Sequence, residues 1–314
     1  MQEHSTAWQE EFVALGYPDA RPLAVGMEGA VYRLDAGWVG KVWAQRPASA
    51  LRRLQRCYGS VAGRAGALQL PEIRDVLTIR STTVTIERLL PGTPLSARAT
   101  EPSATLPPPV LVALLTTLRG LAALPATASM RALPVLDEAR PLWHGRDTWP
   151  AALGGLIERR VARFGPLLRP QIAAFDAKVA RLLALLAASD VPALTLIHGD
   201  LIPANILGGA ASQPLAVLDF GFLSTAGDPA FDAAITASIC DMYGPHARDH
   251  ERQLDAAIAA EFGYDPQVIT RYKAAYALIT SNAYDPLGQD GHFAWCVRLL
   301  QRPEVTALLA PAEA

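Results

Sequence analysis

The sequence predicts an α+β fold with two lobes, a small β-rich lobe followed by a large, mostly helical one. Residues 1–90 contain short apolar and β-branched segments that favour strands. Prolines are concentrated in residues 91–109, which is typical of a linker. From residue 110 onward, apolar side chains recur at helical spacing. We therefore predict an N-terminal lobe at 1–90, a hinge and linker at 91–109 and a C-terminal lobe at 110–314.

The small lobe is predicted to contain five strands and one helix. The strands are two segments within 23–34 around a turn at Gly26 and Gly29, the segment 38–43, and a hairpin of 77–80 and 83–89. The helix is predicted over 48–58, because Leu51, Leu54 and Tyr58 recur at helical spacing.

The large lobe is predicted to be helical with a few short strands between its helices. Helical periodicity covers 110–124, 157–164, 175–188 and most of the chain from 229 to the end. Short apolar runs at 194–197, 206–207 and 215–218 predict strands.

The composition excludes several classes of protein. A hydrophobic fraction of 51% and a charged fraction of 18% are those of a folded globular chain. The net charge of −2 gives no reason to expect nucleic acid or an anionic membrane as a partner. No apolar run is long enough to span a bilayer, and residues 1–16 lack a signal-peptide core, so we expect a cytoplasmic protein. The three cysteines lack metal-site spacing and are expected to be reduced thiols.

The strongest functional signal is the segment HGDLIPAN at 198–205, which follows an apolar run. A second apolar run, 216–218, leads into Asp219, Phe220 and Gly221. A polar side chain at the end of a buried strand is held rigidly at the edge of a lobe. Both motifs therefore place carboxylate or amide groups where a ligand can reach them.

These residue types suit phosphoryl transfer to a hydroxyl. The reaction needs positioning of the two reactants and neutralisation of the charge on a triphosphate. One carboxylate must face the attacking hydroxyl, and Asp200 suits that role. Oxygen ligands must hold Mg²⁺, and Asp219 with the Asn205 amide suits this second role.

The two motifs resemble the protein-kinase signatures HRDxxxxN and DFG. The version with Gly199 is similar to the aminoglycoside phosphotransferase and choline kinase family, and the resemblance covers most of the chain in order. It implies a protein-kinase-like fold that uses ATP or GTP with Mg²⁺. It also implies a nucleotide loop at 26–34 with Gly26 and Gly29, a phosphate-binding Lys41, and a hinge at 87–95 whose backbone at Glu87 to Leu89 contacts adenine.

Lys41 stands out because only three of the 28 basic residues are lysines. The family usually pairs this lysine with a glutamate on the small-lobe helix. Here no acidic residue occurs between Asp35 and Glu72, and the helix carries Arg52, Arg53 and Arg56 instead. The partner of Lys41 is therefore absent, or it comes from Glu72 or another segment.

Several residues have two interpretations. Gly26 and Gly29 either contact phosphate or are hairpin turn residues. His198 is predicted to support the loop rather than act as a base. Asp228 is predicted to cap the helix that begins near residue 229. Asp232 either supports the catalytic loop or contacts the acceptor.

Two features of the C-terminal part of the chain bear on the acceptor. Residues 222–314 carry twelve acidic and six basic side chains, which would attract a polycation such as an aminoglycoside, although helical surfaces are often acidic without function. The segment 282–295 contains Asp285 and Asp290 among aromatic residues. It either binds the acceptor or forms a turn over buried aromatics.

We therefore predict a small-molecule kinase that is a monomer or homodimer. The acceptor is a hydroxylated small molecule, with an antibiotic such as an aminoglycoside or macrolide as the first hypothesis, which would make the protein a resistance enzyme. The alternatives are a metabolite kinase of the choline, homoserine, sugar or thioribose type, and a nucleotide-binding pseudokinase. The missing helix glutamate motivates the pseudokinase hypothesis.

Overall fold

A small antiparallel sheet and a larger helical lobe make up the chain, which confirms the predicted α+β fold. The structure is a computed structural model and describes residues 2–26, 29–98, 103–191, 193–209 and 213–310. Among these residues, no helix combines the length and the apolar character needed to cross a membrane. The cysteines Cys57, Cys240 and Cys296 are free thiols, as expected.

The small lobe is built on a five-stranded sheet in the order β1-β2-β3-β5-β4. Its strands are β1 (Arg21–Gly26), β2 (Gly29–Arg33), β3 (Trp38–Trp43), β4 (Ile73–Ile79) and β5 (Thr82–Arg88). All neighbouring strands are antiparallel. The five predicted strands are confirmed, although β4 begins at Ile73 and not at residue 77.

Two helices flank this sheet, and only one of them was predicted. The predicted helix, α2 (Ala48–Val61), buries Leu51, Leu54 and Tyr58 along one face. The helix α1 (Gln2–Ala14) was not predicted, because its sequence is mostly polar. Its Phe12 is fully buried and packs directly on Gly40, where a Cβ atom would lie 2.4 Å from the ring.

Two parts of the predicted linker belong to regular elements. Its strand β6 (Thr93–Pro94) pairs with β8 (Ile206–Gly208), which in turn pairs with β9 (Pro214–Val217). The helix α3 (Pro108–Ala122) begins within the predicted linker. Proline is tolerated there because the first turn of a helix has no use for its missing N–H.

The large lobe contains eight further helices among the described residues. They are α4 (Ala128–Arg131), α5 (Trp149–Leu168), α6 (Phe175–Ala187), α7 (Pro229–Ile239), α8 (Ala247–Phe262), α9 (Pro266–Thr280), α10 (Gly291–Leu300) and α11 (Pro303–Leu308). α5 is longer than predicted, because Thr148 caps it and Pro150 fits its first turn. A short strand β10 (Thr225–Gly227) pairs with β7 (Thr195–Ile197) and was not predicted.

Helix α7 lies at the centre of this lobe. All of its residues from Ala230 to Ile239 are buried, and it packs against α8 and α9. A helix that is buried on every side belongs to the core of a protein. α7 therefore provides a rigid base directly below β7 and the loop that follows it.

Candidate active site

Two strand pairings bring the sequence motifs to one place. In the β8–β9 hairpin Ile206 lies opposite Val217, and the Leu218 N–H donates to the backbone oxygen of Asn205 over 2.8 Å. Asn205 and Asp219 therefore emerge at the same end of this hairpin. The pairing of β7 with β10 brings the backbone of Leu223 against Gly199, next to Asp200.

His198 joins the two motifs and is fully buried. Its Nε2 lies 2.8 Å from the Leu218 carbonyl oxygen, and its Nδ1 accepts the Asp200 N–H over 3.2 Å. A carbonyl oxygen can only accept, so Nε2 carries the proton. Burial lowers the pKa of the imidazole to about 4, which keeps it neutral. His198 thus has the supporting role expected of it.

Asp232, on α7, binds the backbone of the loop that follows β7. Its two carboxylate oxygens accept the backbone N–H groups of His198 (2.9 Å) and Gly199 (2.8 Å). The residue is 2% exposed, so it is closed off from any acceptor. The proposal that Asp232 contacts the acceptor is therefore wrong, because both oxygens are used inside the fold.

The ionisation of Asp232 is expected to make stability depend on pH. Burial raises the pKa of its carboxyl from 3.8 to about 6, although the two N–H groups oppose this. The contribution of Asp232 to the free energy of unfolding is fully present below pH 4 and is lost as the pH rises through 6. The difference between the two pKa values corresponds to about 3 kcal/mol.

Urea unfolding of the wild type and Asp232→Asn measures this effect. Between pH 4 and pH 7 the stability of the wild type relative to the variant should fall by up to about 3 kcal/mol. The comparison with the variant cancels the opposing titration of His198, which costs stability as the pH falls below 6.5. A constant or rising difference across this range would contradict the raised pKa.

Lys41 and Asp219 form the ion pair at the mouth of the site. The Lys41 ammonium lies 2.9 Å from Asp219 Oδ1. Burial alone would raise the pKa of the Asp219 carboxyl, but the Lys41 charge and hydrogen bond lower it. Asp219 has a φ of 57°, an unusual conformation for a residue other than glycine, and its carboxylate is 46% exposed.

The second carboxylate beside Lys41 comes from the sheet and not from a helix. Glu87 Oε2 lies 3.9 Å from the Lys41 Nζ atom. Glu87 is buried and fixed, because Trp43 Nε1 donates to the Thr85 hydroxyl (2.8 Å), which donates to Glu87 Oε1 (2.6 Å). Strand pairing places Lys41 opposite Thr85, so all four side chains share one face.

This arrangement bears on two predictions. Glu72 is not the partner of Lys41, since it binds Arg88 over 2.6 Å. The predicted adenine contact at Glu87 and Leu89 stays a prediction, but some of the backbone groups it would need are already used. The Glu87 backbone pairs with both neighbouring strands, and the Leu89 N–H donates to the Gly37 oxygen (2.8 Å).

The predicted nucleotide loop lies partly outside the described residues, since Met27 and Glu28 fall there. Gly26 ends β1 and Gly29 begins β2. At Gly29, with a φ of 143°, a Cβ atom would lie 1.8 Å from the Val42 carbonyl oxygen. The hairpin therefore requires glycine at this position, and phosphate contact by the loop stays a prediction.

Arg46 and Ser224 support the Asp219 loop and were missed by the sequence analysis. Arg46 donates to the Phe220 carbonyl oxygen (3.3 Å), and its guanidinium fills the space that a Cβ of Gly221 would take. The Ser224 hydroxyl accepts the Gly221 N–H and donates to the His198 oxygen. Neither residue has a motif of its own that could have revealed this role.

The oxygen donors in the site fit a magnesium ion. Asn205 donates its amide N–H to the Asp200 carbonyl oxygen (2.8 Å), which leaves the amide oxygen to accept or ligate. The Asp219 carboxylate is the second donor. Among the described residues no group of three or more His, Cys, Asp or Glu could enclose a metal. Two protein oxygens are the kind of set that Mg²⁺ uses, since this ion keeps several waters and shares the oxygens of phosphates.

The other predicted acceptor residues, Asp285 and Asp290, shape the chain locally. Asp285 accepts the N–H groups of Leu287 (2.9 Å) and Gln289 (2.8 Å). Asp290 accepts the Phe293 N–H (2.7 Å) and caps α10. These contacts favour the alternative in which the segment forms a turn, and acceptor binding by either carboxylate stays a prediction.

Part of the acidic charge of the C-terminal segment is also structural. Glu251 is 3% exposed and pairs with Lys273 (2.7 Å), Arg302 (2.9 Å) and Arg248 (2.8 Å). Asp228 caps α7 by accepting the Ala230 N–H, as predicted. These contacts favour the interpretation that the acidity stabilises helices and does not recruit a polycation.

The sequence profile of the phosphotransferase enzyme family, abbreviated APH, matches residues 19–276. This chain belongs to the phosphotransferase enzyme family. The match covers the sheet, Lys41 and both catalytic motifs, and it confirms the predicted resemblance and the prediction of a small-molecule kinase. A comparison with curated protein sequences found no match.

Solved structures share the fold of this APH-family chain at low sequence identity. The GDP and kanamycin complex of APH(2")-IIia is 18% identical, with a TM-score of 0.61 over 95% of this chain and 98% of that chain. The macrolide 2'-phosphotransferase MphH from Brachybacterium faecium is 22% identical, with a TM-score of 0.57 over the same shares. APH(3'')-Id from Streptomyces rimosus, solved with ADP and streptomycin, is 20% identical, with a TM-score of 0.51 over 91% and 98%.

Proposed function

We propose that this phosphotransferase moves the γ-phosphate of ATP or GTP to a hydroxyl of a small molecule in the cytoplasm. The observation that carries the proposal is the convergence of Asp200, Asn205, Asp219 and Lys41. Asn205 holds the Asp200 backbone, and the loop after β9 brings Asp219 to Lys41. A triphosphate between the lobes would meet a cation, two oxygen ligands and a carboxylate at once.

Each side chain has one role in this mechanism. Asp200 orients the acceptor hydroxyl and accepts its proton as the oxygen attacks the γ-phosphorus. The bond from the γ-phosphorus to the bridging oxygen breaks, and the nucleoside diphosphate leaves. Asp219 and the Asn205 amide oxygen would hold Mg²⁺, which neutralises phosphate charge when bound. Lys41 binds phosphate oxygens of the nucleotide, and the buried Glu87 keeps its ammonium in place.

We propose that the nucleotide base binds the hinge at Leu90, one residue beyond the predicted contact. Leu90 packs with Leu207 and Ala216 in a small apolar cluster between the sheet and the β8–β9 hairpin. A flat base lying on Leu207 can pair with the backbone of Leu90, since the Leu89 N–H already donates to the Gly37 oxygen. ATP and GTP both fit this description.

The antibiotics bound by the structural neighbours are the first acceptors to test, and a resistance role depends on that test. Metabolite hydroxyls are the alternative. The pseudokinase hypothesis loses its motivation, because Glu87 and Asp219 supply the carboxylates that the helix lacks. Transfer of labelled γ-phosphate from ATP or GTP with Mg²⁺ to a panel of acceptors tests the proposal. If no nucleotide supports either phosphate transfer or hydrolysis, the proposal is rejected.

Replacing Lys41 with alanine is expected to weaken nucleotide binding by about ten- to hundredfold, since a charged hydrogen bond to phosphate is lost. Calorimetric titration with the Mg²⁺ complex of ATP or GTP measures the change. The control is Arg64→Ala, which removes an exposed small-lobe cation after α2. Equal affinities for Lys41→Ala and the wild type would show that Lys41 does not bind phosphate.

A further inference from the structure

An exposed apolar surface lies directly after the second catalytic motif. Phe222 stacks on Tyr284 with ring planes 4° apart and centroids 5.8 Å apart. Tyr284 is 53% exposed, and Tyr243 and Leu287 are 65% and 67% exposed. We call Phe222, Tyr243 and Tyr284 the aromatic platform, and Leu287 follows Tyr284 by three residues. Large apolar side chains exposed together in this way mark a binding surface.

The platform is anchored from below by buried residues. His292, which is 3% exposed, lies edge-on to Tyr284 with centroids 5.0 Å apart. The Tyr243 hydroxyl lies 3.4 Å from His292 Nδ1. The Phe222 carbonyl oxygen accepts the Leu136 N–H over 2.7 Å. The rings are therefore held in place before any ligand arrives, which lowers the entropic cost of binding.

The platform faces the same space as Asp200. Gly199 lies against Leu223, and the two segments run antiparallel. Asp200, which follows Gly199, is therefore beside Phe222, which precedes Leu223. Burial raises the pKa of the Tyr284 hydroxyl, and the negative charge of Asp200 raises it further. A molecule lying on the rings is thus within reach of the carboxylate that is proposed to accept its proton.

The charges around the platform do not suit a polycation. Asp285 and Asp290 bind backbone N–H groups of the same turn. Asp137 and Glu138, which follow Leu136, pair with arginines of α5. A quaternary ammonium ion prefers to be enclosed by several aromatic faces. Phe222 and Tyr284 are parallel and packed on each other, so they present a strip and not a cage.

Resting on the proposed function, we propose that the acceptor is a hydroxylated ring compound with a broad apolar face. This face would lie on the aromatic platform while a neighbouring hydroxyl points toward Asp200. A macrocyclic lactone has such a face, whereas a polyamine sugar does not. The apolar area buried against the rings would supply most of the affinity.

Binding and transfer are tested with erythromycin, kanamycin, streptomycin and choline as probes. Calorimetry with the Asp200→Asn protein and ADP measures binding without turnover. Erythromycin is expected to bind at least about tenfold more tightly than the other three, and Tyr284→Ala should weaken it about tenfold. Tyr284→Phe keeps the stacked ring and should stay within about twofold of the parent protein.

Tyr264→Ala is the matched control, since Tyr264 stacks on Phe262 in a similar parallel pair outside the platform. Erythromycin affinity should not change in this variant. Preferred binding of kanamycin, streptomycin or choline overturns the inference. So does a failure of erythromycin to bind, or binding that Tyr284→Ala leaves unaltered. If erythromycin binds and its binding depends on Tyr284, but the wild type transfers no phosphate to any probe, only the proposed function is rejected.

Discussion

Asp200→Asn is expected to reduce phosphate transfer by about 10²- to 10⁴-fold, the contribution of a positioned general base. An asparagine amide cannot accept the proton of the attacking hydroxyl. The backbone of Asp200 keeps its hydrogen bonds with His198 Nδ1 and the Asn205 amide in this variant, and an asparagine has the shape of the aspartate it replaces. The variant should therefore keep the fold and the melting temperature of the wild type, and its affinity for the Mg²⁺–nucleotide complex should be nearly unchanged.

Single-turnover transfer of labelled phosphate, together with thermal unfolding, measures both parts of this prediction. Asp190→Asn serves as the control, because it removes an exposed carboxylate after α6. Its transfer rate should equal that of the wild type. A full rate in Asp200→Asn would show that another group accepts the proton, and an unfolded variant would show that the Asp200 side chain is structural.

The catalytic motifs were predictable because their geometry is local. Asn205 comes directly before β8 and Asp219 follows β9 closely, so both lie at the open end of one short hairpin, and apolar runs mark both of its strands. His198, Asp200 and Asn205 lie within one loop that ends in a short 3₁₀ turn at Pro203–Asn205. Residues that are close along the chain leave the fold little freedom to separate them, so spacing was enough to predict that these residues lie together.

The partner of Lys41 could not be found in the same way. Thr85 and Glu87 reach Lys41 only because β3 and β5 pair in one particular register. A shift by one residue would turn Glu87 to the other face of the sheet. Nothing in a single sequence fixes that register, so Glu87 was assigned to the hinge and not to the lysine.

The acceptor carboxylates show a different limit. A sequence does not reveal whether an Asp side chain points to a ligand or binds the N–H groups of its own turn, since both uses favour the same residue. Asp285 and Asp290 bind their own turn, while Phe222 and Tyr284 form the exposed surface. Asp232 is a similar case, because its burial follows from the central position of α7.

Gly199→Ala is expected to destabilise the protein by about 2–5 kcal/mol and to remove most of its activity. Gly199 has a φ of 78°, which is costly for alanine. A Cβ there would lie 2.4 Å from the Cβ of Leu223 and 2.8 Å from its carbonyl carbon. The loop must then move away from β10, and this movement breaks the bonds from His198 and Gly199 to Asp232 that place Asp200.

Gly263→Ala is the control that measures the cost of a positive φ in alanine without a steric clash. Gly263 ends α8 with a φ of 68°, and a Cβ there would have no neighbour within 4 Å. This control should lose only about 1–2 kcal/mol in urea unfolding and keep its activity. Leu223→Gly should restore little to Gly199→Ala, because the carbonyl carbon and the Cα of Leu223 remain within 3 Å of the new methyl group. Equal losses in the two alanine variants would mean that Leu223 gives way, and the close approach of β10 would then not explain the glycine of the catalytic motif.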